Sequence, residues 1–436
     1  MQAPDAGAGP ASFLTPLGAA YYVRSKSLDV AHYQALIDRG WRRSGTLLYK
    51  PDVRRACCPH YTIRLPAASF KPTRDQRQAV NRWNRFVLGE SYMNEAKKLH
   101  PKTKEEKAKQ RNGFSLCDVI HEAEDMKVKR PPEPAHRFEV TLEPDSFTDE
   151  KFQLFSNYQQ AVHHEEAHEV TRGGFRRFLC DSPLQRRAAD GSSTRLGSFH
   201  QCYRLDGRLI AIAVLDLLPH AVSGVYFIYH SDFEKYSLGK ISALREAALA
   251  EESGLQFYYM GYYIHNCKKM RYKGDYQPQY VLDPESYEWN ELNGELRGLL
   301  DEKKYVSLWR QRQNKQPKAL DDGGDIPMRE VSSDDDFDGK YLDSPVLAAA
   351  AADNGLSLME LGVPGVLKIN ELLGKISLDK IKIGIPSAGI VADMEDLVSW
   401  DKGTITDKSS LKGHIAEMAA CLGPEVAKEM IVHLSV

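Results

Sequence analysis

Residues 197–219 read GSFHQCYRLDGRLIAIAVLDLLP, two alternating apolar runs on either side of Asp206 and Gly207. An Asp-Gly dipeptide between such runs favours the two-residue turn of a β-hairpin. A third strand, SGVYFIYH, follows at 223–230, and SLGKISALREAALAEESG at 237–254 has the pattern of a helix that a glycine ends. The strand LQFYYMGYYI comes directly after it. This order of elements predicts an α/β fold with a mixed sheet.

The order of hairpin, strand, helix and strand is also that of the N-acyltransferase half-barrel. The expected fold class is therefore α/β, GNAT-like, with helices flanking the sheet and a basic N-terminal domain. Such an analogy does not establish a reaction. Composition predicts six segments: a disordered leader at 1–20, an N-terminal domain at 21–73, a basic helical linker region at 74–134, the GNAT-like domain at 135–318, an acidic disordered linker at 319–344, and an appended segment of unknown role at 345–436.

Local patterns predict several further elements. WRRSGTLLYKP at 41–51 is typical of a hairpin with its turn at Ser44-Gly45. Residues 148–170 and 286–315 have helical patterns, and Gly173-Gly174 is expected to end the first of them.

The net charge of −2 conceals an asymmetry along the chain. Met1 to Arg130 contain 24 Lys and Arg against 13 Asp and Glu, whereas the remainder contains 34 against 47. A basic first third favours a polyanionic partner such as RNA, although a solvated basic surface would give the same composition.

Composition also argues against a membrane or secreted protein. No window approaches about 18 consecutive apolar residues, and the first residues lack the basic start and apolar core of a secretory signal. The seven cysteines are few for 436 residues and odd in number. A disulfide framework is therefore not expected, and a reducing compartment, cytoplasmic or also nuclear, is predicted.

Four stretches resemble the arginyl-tRNA–protein transferase family in residues, order and spacing. They are DRGWRRSGTLLYKP at 38–51, CCPHYTIRLP at 57–66, GSFHQCYRLDGRLIAIAVLDLLP at 197–219, and YSLGKISALREAALA leading into FYYMGYYIHNCKKMRYKGDYQP within 236–278. The resemblance covers most of residues 24–290. It implies that 21–73 is the N-terminal arginyltransferase domain and that 135–318 is the catalytic domain.

The resemblance implies an aminoacyltransferase that moves arginine from arginyl-tRNA to the α-amine of proteins beginning with Asp, Glu or oxidised Cys. The product is an N-degron that ubiquitin ligases read. Arginyl-tRNA and proteins with acidic N-termini are thus the expected partners, and the oligomeric state is not predicted. Because the aminoacyl ester is already activated, the transfer requires no cofactor.

Cys57 and Cys58 are the predicted metal ligands. Family members hold a zinc or iron–sulfur site with a Cys-x-x-Cys pair upstream of a Cys-Cys pair. No cysteine precedes Cys57 in this chain. Two adjacent thiolates do not complete a tetrahedral site, and adjacent cysteines at the start of a strand are equally typical of plain buried residues.

Asp216 and His200 are the predicted catalytic residues. Asp216 interrupts the apolar run LIAIAVLDLLP, where an unpaired charge is costly, so it has either a task or a partner such as a nearby arginine. His200 lies on a strand expected to neighbour Asp216 and could relay a proton. A half-buried structural histidine is the alternative.

The predicted substrate-binding residues are cations and aromatics around the helix start SLGK and the tyrosine-rich strand. Ser237 as N-cap and Lys240 would form an anion site for the tRNA terminus. Strand alternation implies that some of the tyrosines belong to the core, and Arg245 has the alternative of a structural pair with Glu246. The predicted set comprises Tyr229, Ser237, Lys240, Arg245, Tyr258, Tyr262, His265, Lys269 and Lys273.

Arg42, Arg43, Arg54 and Arg55 are the predicted tRNA contacts, with ordinary surface charge as the alternative. Two other functions stay open. One is a GNAT-type N-acetyltransferase, against which the absence of a Gly-rich Gln/Arg-x-x-Gly-x-Gly/Ala loop argues. The other is a catalytically impaired tRNA-binding or adaptor relative.

Overall fold

The structure is a computed structural model that describes residues 20–188, 195–315, 357–359, 362–385 and 389–433, without the side chains of 109–112 and 315. The predicted leader, apart from Ala20, and the acidic linker at 319–344 lie outside the described residues.

The strands of the described chain form three sheets. They are β1 (Ala20–Arg24), β2 (Arg42–Ser44), β3 (Leu47–Pro51), β4 (Tyr61–Pro66), β5 (Phe138–Pro144), β6 (Arg187–Ala188), β7 (Arg195–Leu205), β8 (Arg208–Leu218), β9 (Ala221–Tyr229), β10 (Phe257–Tyr263), β11 (Tyr280–Leu282), β12 (Trp289–Glu291), β13 (Lys382–Ile385), β14 (Ile390–Asp393) and β15 (Ile431–His433).

The helices flank these sheets. They are α1 (Val30–Ile37), α2 (Arg74–Leu88), α3 (Glu90–Leu99), α4 (Lys104–Asn112), α5 (Leu116–Ile120), α6 (Asp149–Tyr158), α7 (Arg172–Phe175), α8 (Leu238–Glu252), α9 (Lys268–Arg271), α10 (Gly294–Glu302), α11 (Leu308–Lys315), and three near the end of the chain at Ile369–Lys375, Leu411–Leu422 and Pro424–Ala427. Two π-helical turns occupy Gln159–His163 and Arg176–Cys180.

The largest sheet is mixed and has the order β12-β11-β4-β10-β9-β8-β7-β5, with β6 paired to β7. Its neighbours are antiparallel except for β9 and β10, which are parallel and connected by α8. The mixed α/β architecture is thus confirmed. β4 comes from the segment predicted as the N-terminal domain, so that segment and the residues after 135 share one sheet.

The β7–β8 hairpin forms where the sequence predicts it. Asp206 and Gly207 have φ values of 52° and 81°, the left-handed values that a type I′ turn requires and that Asp and Gly tolerate best. The predicted hairpin at 41–51 is also present, but its turn lies at Gly45 and Thr46, because Ser44 belongs to β2 and pairs with Leu47.

Each face of the large sheet carries a hydrophobic core. On one face α2, α5 and α8 pack against a cluster centred on Trp83, Tyr203 and Leu244. On the other face α6 and α7 pack around Phe175 and Ile212. Both faces are therefore covered by helices, as a sheet with long apolar central strands requires.

The ends of the described chain meet in a third cluster. Trp41, which follows α1, is fully buried and donates its indole N–H to the carbonyl oxygen of Cys421 at 3.2 Å. Leu422 and Val426 join the same cluster. The segment near the end of the chain, with its β14-β13-β15 sheet, thus packs against the N-terminal sheet β1-β3-β2.

Two helix predictions are wrong in detail. Gly173 and Gly174 lie inside α7, because the Thr171 hydroxyl accepts a hydrogen bond from the Gly174 amide and starts a new helix. Residues 286–315 are not continuously helical, because Trp289–Glu291 pair with β11 before α10 begins. None of the described helices combines the length and apolarity that a membrane crossing needs.

Candidate active site

The parallel strands β9 and β10 separate in the middle of the sheet. Phe257–Tyr259 of β10 pair with Ala221–Ser223 of β9, and no pairing between the two strands follows. The register also shifts opposite Gly224 and around Gly261, where φ is 80°. A gap consequently opens between the carboxyl ends of two parallel strands, which is where α/β sheets bind ligands.

Glu246 of α8 reaches this gap with a buried carboxylate. It accepts a hydrogen bond of 2.6 Å from the Ser242 hydroxyl and a second from the Tyr258 hydroxyl. Burial raises the pKa of Glu246 to about 7, although both hydrogen bonds act to lower it. A carboxylate with this pKa is half ionised near neutral pH and can accept or return a proton.

Gly224 of β9 makes room for that carboxylate. A methyl group on Gly224 would lie 2.7 Å from Glu246 Oε2 and 3.5 Å from the Tyr258 hydroxyl. The missing side chain therefore leaves the room that the Glu246 carboxylate occupies, at the point where β9 leaves β10.

Lys273 contributes a cation from the loop after α9. Its Nζ donates to the Tyr262 carbonyl oxygen at 3.1 Å, and the ammonium is partly buried. Burial and the nearby Arg42 lower the pKa of Lys273 to about 8, whereas Glu246 acts to raise it. The gap thus holds a carboxylate and an ammonium that both titrate near neutral pH.

The N-terminal segment completes this side of the gap. Arg42 is buried, lies 5.3 Å from the Tyr262 ring centroid, and donates to the Gly261 carbonyl oxygen at 3.4 Å. His60 packs edge-on against Tyr262 at 5.6 Å between ring centroids. Burial lowers the pKa of His60, and the charge of Lys273 lowers it further.

The structure places Asp216 away from Glu246, in an ion pair. The Arg43 guanidinium donates to both Asp216 oxygens at 2.8 and 2.7 Å, and the Ser198 hydroxyl donates to one of them at 2.6 Å. Asp216 is fully buried and Arg43 is 4% exposed. This geometry favours the alternative of a nearby arginine partner.

His200 is a core residue. It is fully buried, and its Nε2 lies 2.9 Å from the Leu179 carbonyl oxygen, so that nitrogen carries the donated proton. Burial lowers the pKa of His200 to about 4. The ring is therefore neutral at physiological pH, as in the alternative of a structural histidine.

At the predicted anion site, the start of α8, Ser237 and Lys240 bind other side chains of this chain. Ser237 occupies the N-cap position, but its side chain caps no amide and instead accepts a hydrogen bond of 3.3 Å from Arg82. Lys240 pairs with Asp75 at 2.5 Å. Arg245 pairs with Glu124 across the core, so the predicted Arg245–Glu246 pair is absent.

The tyrosine-rich strand divides its residues between the gap and the core. Tyr258 donates a hydrogen bond to Glu246, and Tyr262 donates from its hydroxyl to the Gly40 carbonyl oxygen at 2.8 Å. His265 joins Asp301 at 2.7 Å, and Lys269 is exposed on α9.

Tyr229 is the last residue of β9 and packs against α6. Its ring lies 5.3 Å from that of Tyr158, measured between centroids.

The remaining predicted residues lie in the loop after β3. Arg55 pairs with Asp52 at 2.9 Å and Arg54 is half-buried. Cys57 and Cys58 are exposed with their sulfurs 3.6 Å apart. Within the described ranges no three His, Cys, Asp or Glu residues are grouped to hold a metal, so these residues do not fit a closed four-ligand site.

Glu246 is not among the site residues predicted from the sequence. The available signal was the one that singled out Asp216, namely a carboxylate inside an apolar run, here ALREAALA. The neighbouring Arg245 offered a pairing that α8 does not make, because the two side chains leave the helix in different directions.

Family models match two separate parts of this chain. A family model described as "Arginine-tRNA-protein transferase, N terminus" matches residues 15–78, and its C-terminus counterpart matches 150–283. The N-terminal match thus includes Arg42 and His60, and the C-terminal match includes Glu246 and Lys273.

Two curated relatives share about a third of the aligned residues. Arginyl-tRNA–protein transferase 1 of Saccharomyces cerevisiae is 34% identical over 274 residues, or 59% of this chain and 50% of that protein. The chain therefore spans half the length of the yeast relative. An aspartate/glutamate leucyltransferase of Pseudomonas fluorescens is 32% identical over 262 residues, 59% of this chain and 83% of that protein.

A solved structure of the DUF2156 domain described for an Agrobacterium fabrum lysylphosphatidylglycerol synthetase is 13% identical to this chain. It covers 61% of this chain and 66% of its own, with a TM-score of 0.25, which is too low to establish a shared fold. The two family models and the curated relatives together settle the relationship: the chain belongs to the arginyl-tRNA–protein transferase family.

Proposed function

We propose that this chain transfers arginine from arginyl-tRNA to the α-amine of proteins beginning with Asp, Glu or oxidised Cys. The carrying observation is that a buried carboxylate, Glu246, and a partly buried ammonium, Lys273, are close enough beside the gap between β9 and β10 to affect each other's pKa, in a chain of this family. The product would be an N-degron for ubiquitin-dependent degradation, in a cytoplasmic setting.

Glu246 suits the proton transfer that aminolysis needs. The acceptor α-amine has a reference pKa of about 7.7–8.0, close to the value of about 7 for Glu246. In the proposed step Glu246 takes a proton from the α-ammonium, and the amine nitrogen then attacks the ester carbonyl carbon. The C–N bond forms, the ester C–O bond breaks, and the tRNA 3′-oxygen leaves with the proton from Glu246. The new amide nitrogen then gives its second proton to the Glu246 carboxylate, which releases it to solvent.

Lys273 suits recognition of the acceptor. Its ammonium is close enough to Glu246 for that carboxylate to act on its pKa, and the nearby buried Arg42 adds positive charge. A side-chain carboxylate on the first acceptor residue would pair with Lys273. An acceptor that begins with Ala lacks this pairing and would bind less tightly.

The exposed face of α2 suits the tRNA acceptor stem. Arg74, Arg82 and Arg85 are exposed on it, and Arg77 lies 5.5 Å from the Phe114 ring centroid. Their helical positions lie within one stripe. Contacts from α2 to Ser237 and Lys240 bring this stripe to the first turn of α8, the helix that carries Glu246. Phosphate contacts of this kind fix position rather than sequence.

The proposal includes a GNAT-like catalytic domain and a transfer reaction that uses no cofactor. The order β7–β8 hairpin, β9, α8 and β10, with β9 parallel to β10, supports a GNAT-like domain. No step of the proposed transfer uses a metal, since the residues around Cys57 and Cys58 do not fit a closed site.

Leucine transfer is the second candidate, and the 32% identity to the Pseudomonas leucyltransferase favours it. The test incubates the purified chain with labelled arginyl-tRNA or leucyl-tRNA and with peptides that begin with Asp, Glu or Ala. Arginine on the Asp and Glu peptides supports the proposal, whereas leucine alone supports the second candidate. Binding of tRNA without any transfer, or turnover of acetyl-CoA, would overturn both.

A further inference from the structure

Residues 39–43 connect the appended segment near the end of the chain to the large sheet. The Arg39 guanidinium donates to the Gly365 carbonyl oxygen at 3.2 Å, and the Trp41 indole N–H donates to the Cys421 carbonyl oxygen at 3.2 Å. Gly365 and Cys421 belong to the appended segment, which lies outside both family matches. Two alternate side chains of this connection thus bind a part of the chain that neither family model covers.

The residues on either side of Trp41 bind β10 instead. The Gly40 carbonyl oxygen accepts a hydrogen bond of 2.8 Å from the Tyr262 hydroxyl. Arg42 donates to the Gly261 carbonyl oxygen at 3.4 Å and to the Trp41 carbonyl oxygen at 2.8 Å. Because Trp41 is bonded covalently to Gly40 and Arg42, a displacement of its backbone moves both contacts with β10.

The appended segment packs closely against this connection. Trp41 is fully buried, and its hydrophobic cluster includes Leu422 of the appended segment. The Arg39 guanidinium lies against Gly423, since a methyl group there would come within 2.5 Å of Arg39 Nε. The position of Arg39 therefore depends on a residue of the appended segment that has no side chain.

Arg42 and Lys273 bind consecutive carbonyl groups of β10. Arg42 binds that of Gly261, and Lys273 Nζ donates to that of Tyr262 at 3.1 Å. Arg42 is 5% exposed, and its Nε has no partner among the described residues.

The Lys273 ammonium borders open space beside the bulge of β10. Within the described part of the chain, and apart from the two neighbours of Gly261 in sequence, only Lys273 Nζ lies within 4 Å of a methyl group placed on Gly261, at 3.7 Å. Two cations on neighbouring peptides, one of them beside open space, attract an anionic ligand.

We propose that the appended segment, acting through Arg39 and Trp41, holds Arg42 where it can bind the side-chain carboxylate of the acceptor together with Lys273. The inference deepens the proposed function and rests on it. Arg39 and Trp41 are positioning residues, because their own side chains bind the appended segment and not the acceptor. Helix α8, which carries Glu246, packs in a different hydrophobic cluster from Trp41. The appended segment should therefore change acceptor binding and leave proton transfer unaffected.

Peptide binding to the full chain tests the inference, measured by titration calorimetry with two peptides that differ only in an initial Asp or Asn. Trp41→Phe removes the indole N–H and keeps a ring in the core, and Gly423→Ala displaces Arg39. Each variant should weaken the Asp peptide about tenfold, or about 1.4 kcal/mol, and leave the Asn peptide unchanged. In transfer assays KM for the Asp peptide should rise by the same factor, and kcat should keep its wild-type value.

Gly362→Ala is the matched control for Gly423→Ala. Both glycines belong to the appended segment and have positive φ values, 58° and 88°, but nothing described lies within 4 Å of a methyl group on Gly362. The control carries similar backbone strain and should bind the Asp peptide as the wild type does. Thermal denaturation shows which variants fold, and Arg39→Gln, which removes the donor to Gly365, replaces any that does not.

Arg42→Gln tests whether the effect passes through Arg42. This variant should weaken the Asp peptide by itself, and addition of Trp41→Phe should then weaken it no further, because the two residues act on one contact. Additive losses would overturn the inference. Equal weakening of the Asp and Asn peptides, or unchanged binding in the folded variants, would overturn it as well.

Binding and transfer distinguish this inference from the proposed function. A wild-type chain that transfers no arginine, but whose binding of the Asp peptide depends on Trp41 and Gly423 as expected, would overturn the proposed function alone. A chain that transfers arginine, with binding of the Asp peptide unchanged in both variants, would overturn the inference alone.

Discussion

The Arg43 guanidinium and the Asp216 carboxylate form a two-point ion pair of 2.8 and 2.7 Å between β2 and β8. Both side chains are buried, and the hydroxyl of Ser198 binds the same carboxylate. The pair therefore fixes the N-terminal sheet against the large sheet. Its geometry also positions Arg42, the next residue back in the chain, toward the gap that holds Lys273.

Asp216→Asn is predicted to destabilise the fold. Removal of one partner from a buried ion pair leaves the other charge unpaired, at a cost of about 3–5 kcal/mol. The free energy of unfolding, measured by urea denaturation with circular dichroism, should fall by that amount. Glu288→Gln is the matched control, because Glu288 pairs with Arg312 at the surface, where both side chains are more than half exposed.

A different result would restore the catalytic role predicted for Asp216 from the sequence. If Asp216→Asn keeps the wild-type stability but abolishes transfer, the carboxylate acts in the reaction and not in the ion pair. The surface control should change stability by no more than about 1 kcal/mol.

Much of the large sheet follows from local sequence signals. The Asp206-Gly207 turn and the helical pattern of α8 are encoded within about ten residues of each element, where turn chemistry and periodicity act. The position of β4 between β10 and β11 is not encoded in this way. The position of β4 depends on pairing with β10, almost two hundred residues later in the chain. The local sequence therefore predicted β4 as part of a separate N-terminal domain.

The site was predicted less completely than the fold. The sequence correctly predicted that Asp216 is buried and has either a partner or a task. The sequence pattern alone does not identify Arg43 as that partner. The strands with Tyr258 and the loop with Lys273 were found through the family resemblance. Glu246 was not predicted, because its position depends on Gly224 of β9, whose missing side chain leaves room for the carboxylate.

Glu246→Gln is predicted to remove the acidic limb of the pH–rate profile. In the wild type, kcat/KM should rise with pH as Glu246 ionises near a pKa of about 7, and fall as Lys273 loses its proton near about 8. The variant should lose about 10²–10⁴-fold in rate and keep only the alkaline limb. Transfer assays with an Asp peptide across the pH range measure both effects.

The stability of the same variant should change with pH in a defined direction. The folded state raises the pKa of Glu246 from 4.5 to about 7, so folding binds a proton in that window. Wild-type stability is therefore lost as the pH rises through it. The Gln variant should gain stability relative to the wild type between those values. In the kinetic experiment, an acidic limb that persists in the kcat/KM profile of Glu246→Gln would show that another group is the base.

Gly224→Ala is predicted to impair transfer while the chain stays folded. The new methyl group would lie 2.7 Å from Glu246 Oε2, so the carboxylate must move from the position it holds for the proposed proton transfer. Overpacking of this kind costs about 1–3 kcal/mol of stability, and kcat should fall at least about tenfold, a loss of about 1.4 kcal/mol in transition-state stabilisation. Steady-state kinetics and thermal denaturation together measure the effect.

Gly298→Ala is the control for that variant. Gly298 lies in α10 with nothing within 4 Å of the added methyl group. It should leave kcat unchanged and stabilise the helix by about 1 kcal/mol. Wild-type kcat in Gly224→Ala would mean that transfer does not depend on the position of the Glu246 carboxylate.

The arginine stripe of α2 is predicted to set the salt dependence of tRNA binding. Arg82→Ala and Arg85→Ala each remove one exposed cation from the stripe, and each lost phosphate contact should reduce the slope of log K against log salt by about 0.7–0.9. Filter binding of arginyl-tRNA at several salt concentrations measures the slope, and Lys382→Ala, on the distant β13, provides a control of equal charge. Binding that weakens equally for the control would show that net charge alone attracts the tRNA. An unchanged slope in both α2 variants would place the acceptor stem on another surface.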